Sequence, residues 1–335
     1  MSLILRAGLT ALFAMAVSQV GAQNCPLAAQ SKEVISVAAY SRSFMLGDSP
    51  PVVAYRSGVQ LDDDGAPNAY HVGKPDGTHD DGLDSICVAG DVLEYQSGVL
   101  QNKYAEGGSI GKLGGKVPGS MLSATQSCKL DYLAIKKAGF PPCGEGHLCM
   151  RWYGVEHTKR SCGFNKVDDD GCGEPIRQSD ASGKEAQFYL STNILRRPHS
   201  PSDTRVQSDY ANAAKVPYVV IPGKTHLPIS TQWAAGDLAV VLWHRRIGFA
   251  VVGDVGGAGK LGEASRALLK NIGSSGAIDE KDPATTLIFP GTAKRWTGGW
   301  PYTKTSIDTH LKALLAEHDL GKSLSACEGM QALGQ

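Results

Sequence analysis

The most informative stretch of the sequence is Ile247-Gly-Phe-Ala-Val-Val-Gly-Asp-Val-Gly-Gly-Ala-Gly-Lys-Leu-Gly-Glu-Ala-Ser265. It begins with an apolar run typical of a buried strand, which we expect to end at Asp254. A glycine-rich turn follows, and we expect Glu263 to lie in the first turn of a helix over 262–271. The turn would place both carboxylates on one rim above an apolar strand. Such a pair can divide general-acid and general-base work, although a turn residue and a helix-terminal charge would have the same spacing.

Apolar or β-branched runs between turn residues predict further strands on both sides of this stretch. The predicted strands cover 33–40, 52–61, 187–192, 216–221, 237–243, 248–252 and 285–289. Besides the helix over 262–271, helical spacing of apolar residues indicates an amphipathic helix over 306–317 and a short helix over 130–138. Many strands and few helices predict an α+β, β-rich fold with a compact, barrel-like β core.

The charges balance, with 33 Lys and Arg residues against 33 Asp and Glu residues. This excludes nucleic-acid binders that depend on a strongly basic surface. Residues 1–22 combine Arg6, a short apolar run and small residues before a cleavage site near Ala22, which is typical of a signal peptide. No later run is apolar enough to span a membrane. We therefore expect a secreted protein, and a monomer, with a single domain over 23–320 and a C-terminal tail over 321–335.

All eight cysteines lie after the predicted signal peptide, and five of them fall within 96–185. An even number of cysteines in an exported chain predicts disulfides, whose pairing the spacing does not determine. Zinc is the alternative, because His147 and His157 are interleaved with cysteines. No Cys-x-x-Cys pair is present, however, so we predict disulfides and no metal. We interpret 96–185 as a Cys-rich, loop-rich insertion within the domain.

The segment 61–94 is strongly acidic, with nine carboxylates and a single lysine. It begins Leu-Asp-Asp-Asp-Gly, which is similar to the start of a calcium loop, but Gly73 occupies the position of the twelfth-residue Glu. If 59–64 is extended, Asp62 and Asp64 point to the same face. These carboxylates would then either line an acidic groove or form a solvated turn.

Several short segments, in this order along about residues 50–320, carry a resemblance to a known family. They are Asp62-x-Asp64-Gly-Ala-Pro-Asn-Ala-Tyr-His71 with Gly82-Leu-Asp84, Phe188-Tyr-Leu-Ser-Thr192, Val216-Pro-Tyr-Val-Val-Ile-Pro-Gly223, Gly236-Asp-Leu-Ala-Val-Val241, Gly253-Asp254 with Gly262-Glu-Ala-Ser265, and Thr286-Leu-Ile-Phe289. Together they resemble the chitosanases of glycoside hydrolase family 75 and their bacterial relatives. The insertion over 96–185 has no counterpart in this resemblance.

The resemblance implies endo-hydrolysis of β-1,4-linked glucosamine polymers with inversion, without a cofactor. It assigns the catalytic roles to Asp254 and Glu263. Burial would suit Asp254 as the acid and a helix N-terminus would suit Glu263 as the base, but the sequence leaves this order open. We expect the polysaccharide to be bound by the matched polar segments, by the acidic groove and by tryptophans in a glycine-rich loop. The predicted binding residues are Asp62, Asp64, Asn68, Tyr70, Asp84, Asp237, Trp296 and Trp300.

Two other functions remain open at the level of sequence. The same acid pair would serve a hydrolase of peptidoglycan or of another cell-wall glycan. Alternatively, the insertion could occlude the cleft and leave a non-catalytic glycan-binding protein. A nicotinamide cofactor is not expected, because the Gly-x-Gly-x-x-Gly run ending at Gly262 is not followed by an acidic residue at the end of the next strand.

Overall fold

The computed structural model describes residues 31–38, 41–46, 52–72, 89–96, 99–103, 124–144, 146–158, 172–179, 185–198, 205–222, 233–256, 261–296 and 300–317. The predicted signal peptide, the predicted C-terminal tail, the glycine-rich turn over 257–260 and the predicted binding residue Asp84 lie outside these ranges.

Fourteen strands of the described residues form one large and two small sheets. The nine-stranded sheet has the order β1-β2-β3-β14-β11-β12-β10-β13-β4 and curls into a half-barrel. Its strands are β1 (Ser31–Ala38), β2 (Ser41–Leu46), β3 (Val52–Ser57), β4 (Gln60–Asp62), β10 (Tyr218–Pro222), β11 (Leu238–Trp243), β12 (Arg246–Gly256), β13 (Glu263–Ser265) and β14 (Ala284–Phe289). Most pairs are antiparallel, but β10 is parallel to β12 and β4 is parallel to β13.

The smaller elements flank this sheet. The three-stranded sheet has the order β6-β5-β7, with β5 (Gly90–Gln96), β6 (Val99–Asn102) and β7 (Cys149–Trp152). Strands β8 (Arg177–Ser179) and β9 (Glu185–Tyr189) form the third sheet. The α-helices are α1 (Ala124–Lys137), α2 (Arg266–Asn271) and α3 (Lys304–Glu317). None of the helices in the described residues has the length and apolar character that crossing a membrane requires.

The large sheet is buried on both faces, because its central strands are apolar at nearly every position. On β11, Val240 and Leu242 face a core that α3 covers, while Val241 faces a second core that includes Leu268 of α2. Each core side chain contributes about 1.5–3 kcal/mol by leaving water. The two-sided burial makes this sheet a rigid support for polar groups at its strand ends.

The β-rich α+β class predicted from the sequence is confirmed, and several boundaries are corrected. The predicted strand over 52–61 is interrupted between β3 and β4, where Val59 pairs with Ile278. The predicted helix over 262–271 begins only at Arg266, because Glu263–Ser265 pair as β13. The helix predicted over 130–138 is longer, since α1 begins at Ala124. The insertion is also more regular than expected, because α1, β6, β7 and β8 lie within it.

All four described cysteines belong to the insertion, and all four are disulfide-bonded. Cys143 and Cys149 lie at disulfide distance, with their Cα atoms 5.1 Å apart. Cys128 and Cys172 each take part in a disulfide as well. The described part of the chain therefore contains no free cysteine. The other four cysteines lie outside the described residues. The predicted disulfide class therefore agrees with the bonds that the structure describes.

Candidate active site

A β-bulge directs Asp254 toward the core face that α3 covers. In the pairing of β10 with β12, Val219 lies opposite Val252 but Val220 lies opposite Asp254, so Gly253 is an extra residue. Bulges of this kind turn the following side chain to the other face of the sheet. The position requires glycine, because a Cβ on Gly253 would lie 2.3 Å from Cγ of Tyr218. The apolar run therefore ends with a carboxylate that simple alternation would have placed on the opposite face.

Glu263 lies on the other side of the same strand β10. It pairs with Val220 from β13, just as Asp254 pairs with Val220 from β12. Paired residues on neighbouring strands share a face, and strands are about 4.8 Å apart, so the two backbones are about 10 Å apart on one face. The Glu263 side chain extends toward β12, because a Cβ on Gly256 would lie 2.8 Å from its Oε2 atom.

The Gly-Glu-Ala-Ser segment holds Glu263 in place through each of its neighbours. Gly262 has φ +85°, and a Cβ there would lie 2.0 Å from the carbonyl oxygen of Gly58. Ala264 is buried in the core beneath the sheet. The Ser265 hydroxyl caps α2 by accepting a hydrogen bond from the Leu268 amide (3.2 Å), and it accepts another from the Tyr218 amide (2.9 Å). Glu263 therefore lies on a strand at the edge of a capped helix, not within the helix as predicted.

Asp62 and Asp64 join Asp254 in what we call the carboxylate cluster. At least one carboxylate oxygen from each of the three residues lies within 4.8 Å of the others. Asp62 ends β4, the edge strand three strands from β12, and its Oδ1 accepts a hydrogen bond from the Asp64 amide (2.8 Å). The Tyr70 hydroxyl donates a hydrogen bond to the Asp64 carboxylate. Asp62 and Asp64 therefore lie in one half-buried cluster with Asp254, and the acidic groove stays a prediction.

Two residues that sequence reasoning missed fix the backbone of this turn. The Tyr218 hydroxyl donates a hydrogen bond to the carbonyl oxygen of Asp64 (2.7 Å). The Asn193 side-chain amide donates to the same oxygen (3.0 Å) and to the Ala211 carbonyl (2.7 Å). Both residues lie in or beside segments that carry the family resemblance, and this adjacency was the signal available in the sequence. They hold Asp64 in a turn where few alternative backbone positions are possible.

Burial and mutual repulsion raise the pKa values of all three carboxyl groups in the carboxylate cluster. Burial raises the pKa of Asp62 to about 7. Burial, followed by the charges of Asp62 and Asp254, raises the pKa of Asp64 well above its usual value. Burial and the charge of Asp62 likewise raise the pKa of Asp254, against hydrogen bonds to its side chain from the Val255 and Ile194 amides. Carboxyl groups this close titrate as a set, so a proton is available next to Asp254.

The remaining predicted binding residues lie elsewhere. Asp237 is fully buried, and its carboxylate accepts hydrogen bonds from the backbone amides of Ala234 (2.7 Å) and Ala293 (2.8 Å). Trp296 donates from its indole nitrogen to the carbonyl oxygen of Gly236 (2.7 Å) and packs against α3. These contacts stabilise the turn before β11, and none of them involves the carboxylate cluster.

The last two predicted binding residues are Trp300 and Asn68. Trp300 is half-buried and lies near Tyr302, with ring centroids 6.2 Å apart. Asn68 is exposed in the turn that leads to Tyr70. The structure therefore brings together Asp62, Asp64, Tyr70, Asp254 and Glu263, and it places Asp237 and Trp296 in a different group.

The carboxylate cluster also has the oxygen donors that Ca²⁺ or Mg²⁺ would require. Clustered buried carboxylates can be neutralised by protons or by a cation, and the sequence predicts no metal. Tyr70 already donates to Asp64, and two backbone amides donate to Asp254.

We therefore expect that dialysis against EDTA, or addition of 5–10 mM CaCl₂ (about 10³-fold above a typical sensor-site Kd), leaves the melting temperature unchanged within about 1 °C. A rise of several degrees with Ca²⁺, reversed by EDTA, would contradict this.

Comparison with known proteins identifies no family for this chain. The chain matches no protein-family model, and no curated protein sequence is significantly similar to it. The chemistry of the site therefore has to follow from its own side chains. A proton-holding carboxyl group and a second carboxylate lie on one face of a rigid sheet, which is an arrangement suited to acid–base chemistry on a bond held between them.

Proposed function

We propose that this protein is an inverting glycoside hydrolase that cleaves β-1,4-linked glucosamine polymers such as chitosan from within the chain. The observation that carries the proposal is the placement of Asp254 and Glu263 on either side of Val220, on one face of the sheet. The short segments that resemble family 75 chitosanases name the same two residues. Motif and geometry therefore support one acid–base pair.

Asp254 is proposed as the general acid. The residue is 9% exposed, and burial together with the charge of Asp62 raises its pKa well above the usual value, so the protonated form of the carboxyl group is favoured. It would donate this proton to the glycosidic oxygen as the C1–O bond breaks and the bonding electrons pass to the leaving oxygen. The Asp254 carboxylate that results remains hydrogen-bonded to the Val255 amide (2.8 Å).

Glu263 is proposed as the general base. It would take a proton from a water molecule whose oxygen forms a new bond to C1 on the face opposite the leaving group. Inverting enzymes hold their two carboxyl groups about 6.5–9.5 Å apart to leave room for this water. Backbones two strands apart, about 10 Å, are compatible with that spacing. The product then has the α configuration, and proton exchange with solvent restores both residues.

The net charge of the chain is zero, so attraction of a cationic polymer would be local to the site. Asp62, Asp64 and Asp254 concentrate carboxyl groups on one face, and glucosamine polymers carry ammonium groups in mildly acidic solution. Only the ionised members of the cluster would attract these ammonium groups, so the attraction should increase with pH as the cluster loses protons. We also propose, from residues 1–22, that the protein is exported and acts on extracellular or periplasmic glycans.

The proposal predicts the substrate and the product anomer. The protein without residues 1–22 should release reducing ends from chitosan, and ¹H NMR in the first minutes should show the α-anomer before mutarotation. Fully acetylated chitin and peptidoglycan are the comparison substrates. Release of muropeptides without cleavage of chitosan would instead assign a cell-wall hydrolase. Retention on chitosan resin without new reducing ends, by a folded protein, would assign a glycan-binding protein.

A further inference from the structure

The short segment after β7 brings the Cys-rich insertion to the carboxylate cluster. The amides of Tyr153 and Gly154 both donate hydrogen bonds to the carbonyl oxygen of Ala89, at 3.0 and 2.9 Å. The Gly154 carbonyl accepts a hydrogen bond from the Thr192 amide (3.0 Å), one residue before Asn193. Backbone bonds on both sides therefore fix the position of this segment.

Gly154 packs directly behind the Tyr70 hydroxyl group. A Cβ at Gly154 would lie 2.7 Å from that oxygen and 3.1 Å from the Cα atom of Ala89. This is the hydroxyl that donates to the Asp64 carboxylate. The absence of a side chain at Gly154 thus leaves room for the Tyr70–Asp64 hydrogen bond, and the insertion forms one wall of the site.

Tyr153, the preceding residue, exposes a large ring at this wall. Its side chain is 42% exposed, and it is the one aromatic residue among the exposed large hydrophobic side chains of the described ranges. No described residue forms a hydrogen bond with its hydroxyl group. Although part of Tyr153 is exposed, burial of the rest, followed by the charges of Asp91 and Asp64, raises its pKa, in agreement with a position near the site carboxylates.

One more exposed apolar residue has its backbone beside Asp254. Ile194 is 36% exposed, and its backbone amide donates to the Asp254 carboxylate. Val255 is also exposed, but it pairs with Ile221 of the second core, so its side chain points to the opposite face of the sheet. An exposed apolar residue next to carboxylates suits a sugar ring. The ring offers an apolar C–H face to an aromatic side chain and polar groups to the carboxylates.

We propose that Tyr153 is a sugar-binding residue of the proposed active site, so that the Cys-rich insertion contributes to substrate binding. The inference rests on the proposed function. In this inference the insertion helps to bind the substrate and does not block the cleft, because the segment that reaches the site carries the exposed ring of Tyr153. A sugar unit would pack on the ring of Tyr153 while its neighbour in the polymer lies at the carboxylates.

The test measures binding separately from chemistry. In the Glu263→Gln background, calorimetry with glucosamine hexamer should show about tenfold weaker binding for Tyr153→Ala, and Tyr153→Phe, which keeps the ring, should recover most of this loss. In the active protein, Tyr153→Ala should raise KM by about the same factor and change kcat less than about threefold. Leu130→Ala is the matched control, because Leu130 is 55% exposed on α1 of the same insertion; it should leave binding unchanged.

Four outcomes distinguish this inference from the proposed function. Hexamers of glucosamine and of N-acetylglucosamine and soluble peptidoglycan fragments are all titrated into the Glu263→Gln protein. If it binds glucosamine hexamer and Tyr153→Ala binds it equally well, the inference is overturned and the proposed function stands. If it binds only one of the other two ligands, the proposed substrate is wrong, and the Tyr153→Ala comparison with that ligand decides the inference by itself. If it binds none of them, both are overturned. A loss confined to kcat would also overturn the inference, because it would assign Tyr153 to the chemical step.

Discussion

Replacing Glu263 by glutamine should lower the release of reducing ends from chitosan by about 10²- to 10⁴-fold, the range that general-base catalysis contributes. Glutamine has nearly the same shape but cannot accept the proton of the attacking water. Asp254→Asn should cause a loss of similar size, because its amide cannot supply the proton that the leaving oxygen needs. For both variants kcat should fall far more than KM changes, since neither residue is replaced by a larger one.

Asp282→Asn is the matched control for this experiment. Asp282 is an acidic residue with a half-exposed side chain that pairs with His244, at the hairpin between β11 and β12. Asp254 lies eight residues along β12 from the hairpin end at Arg246, about 26 Å at 3.3 Å per residue. The control should keep the activity of the parent protein. Full activity in either Glu263→Gln or Asp254→Asn would show that the acid–base pair has been assigned to the wrong residues.

The sequence predicts most of the sheet because its central strands are long apolar runs. β11, β12 and β14 lie close to their predicted positions, since a strand buried on both faces has a continuous apolar signal. The break between β3 and β4 could not be predicted in this way, because it depends on Val59 pairing with Ile278, more than 200 positions away. Local composition contains no information about such a partner.

The site shows the same division between local and long-range information. Asp254 and Glu263 were predicted as a pair because they flank one turn in the sequence. The helix expected at Glu263 was wrong, because three residues that could begin a helix are instead taken up by pairing between β4 and β10. Tyr218, which fixes the turn at Asp64, and Tyr153, the proposed sugar-binding residue, were not predicted, since a tyrosine in a strand or after one is more often a core residue than a ligand.

The carboxylate cluster also determines how stability should change with pH. The pKa of Asp62 is raised from 3.8 to about 7 in the folded chain. A raised pKa means that folding favours the protonated form, so the stabilising contribution is complete below about pH 3.8 and is lost as the pH rises toward 7. Ionisation of Asp62 therefore destabilises the folded protein at neutral pH, which is the cost of keeping protons close to Asp254.

We therefore expect Asp62→Asn to stabilise the protein at neutral pH but not in acid. Asparagine is never charged, and its side-chain oxygen can still accept the hydrogen bond from the Asp64 amide. The full pKa difference would correspond to about 4 kcal/mol, and we expect about 2 kcal/mol because the side chain is only half-buried and water relieves part of the repulsion. Denaturant unfolding from about pH 4 to pH 8.5, with disulfides intact, measures the free energy of unfolding of both proteins.

The difference in unfolding free energy should be small at the acidic end, grow through the range up to about pH 7 and stay constant above it. Asp282→Asn again serves as the control, because that carboxylate lies outside the cluster and is half-exposed. Parallel curves for Asp62→Asn and the parent would show that the pKa of Asp62 does not change on folding, which contradicts this prediction. Asp62 would then be charged at neutral pH, and because that charge raises the pKa of Asp254, the proton of the cluster would belong to Asp254 or Asp64 and not to Asp62.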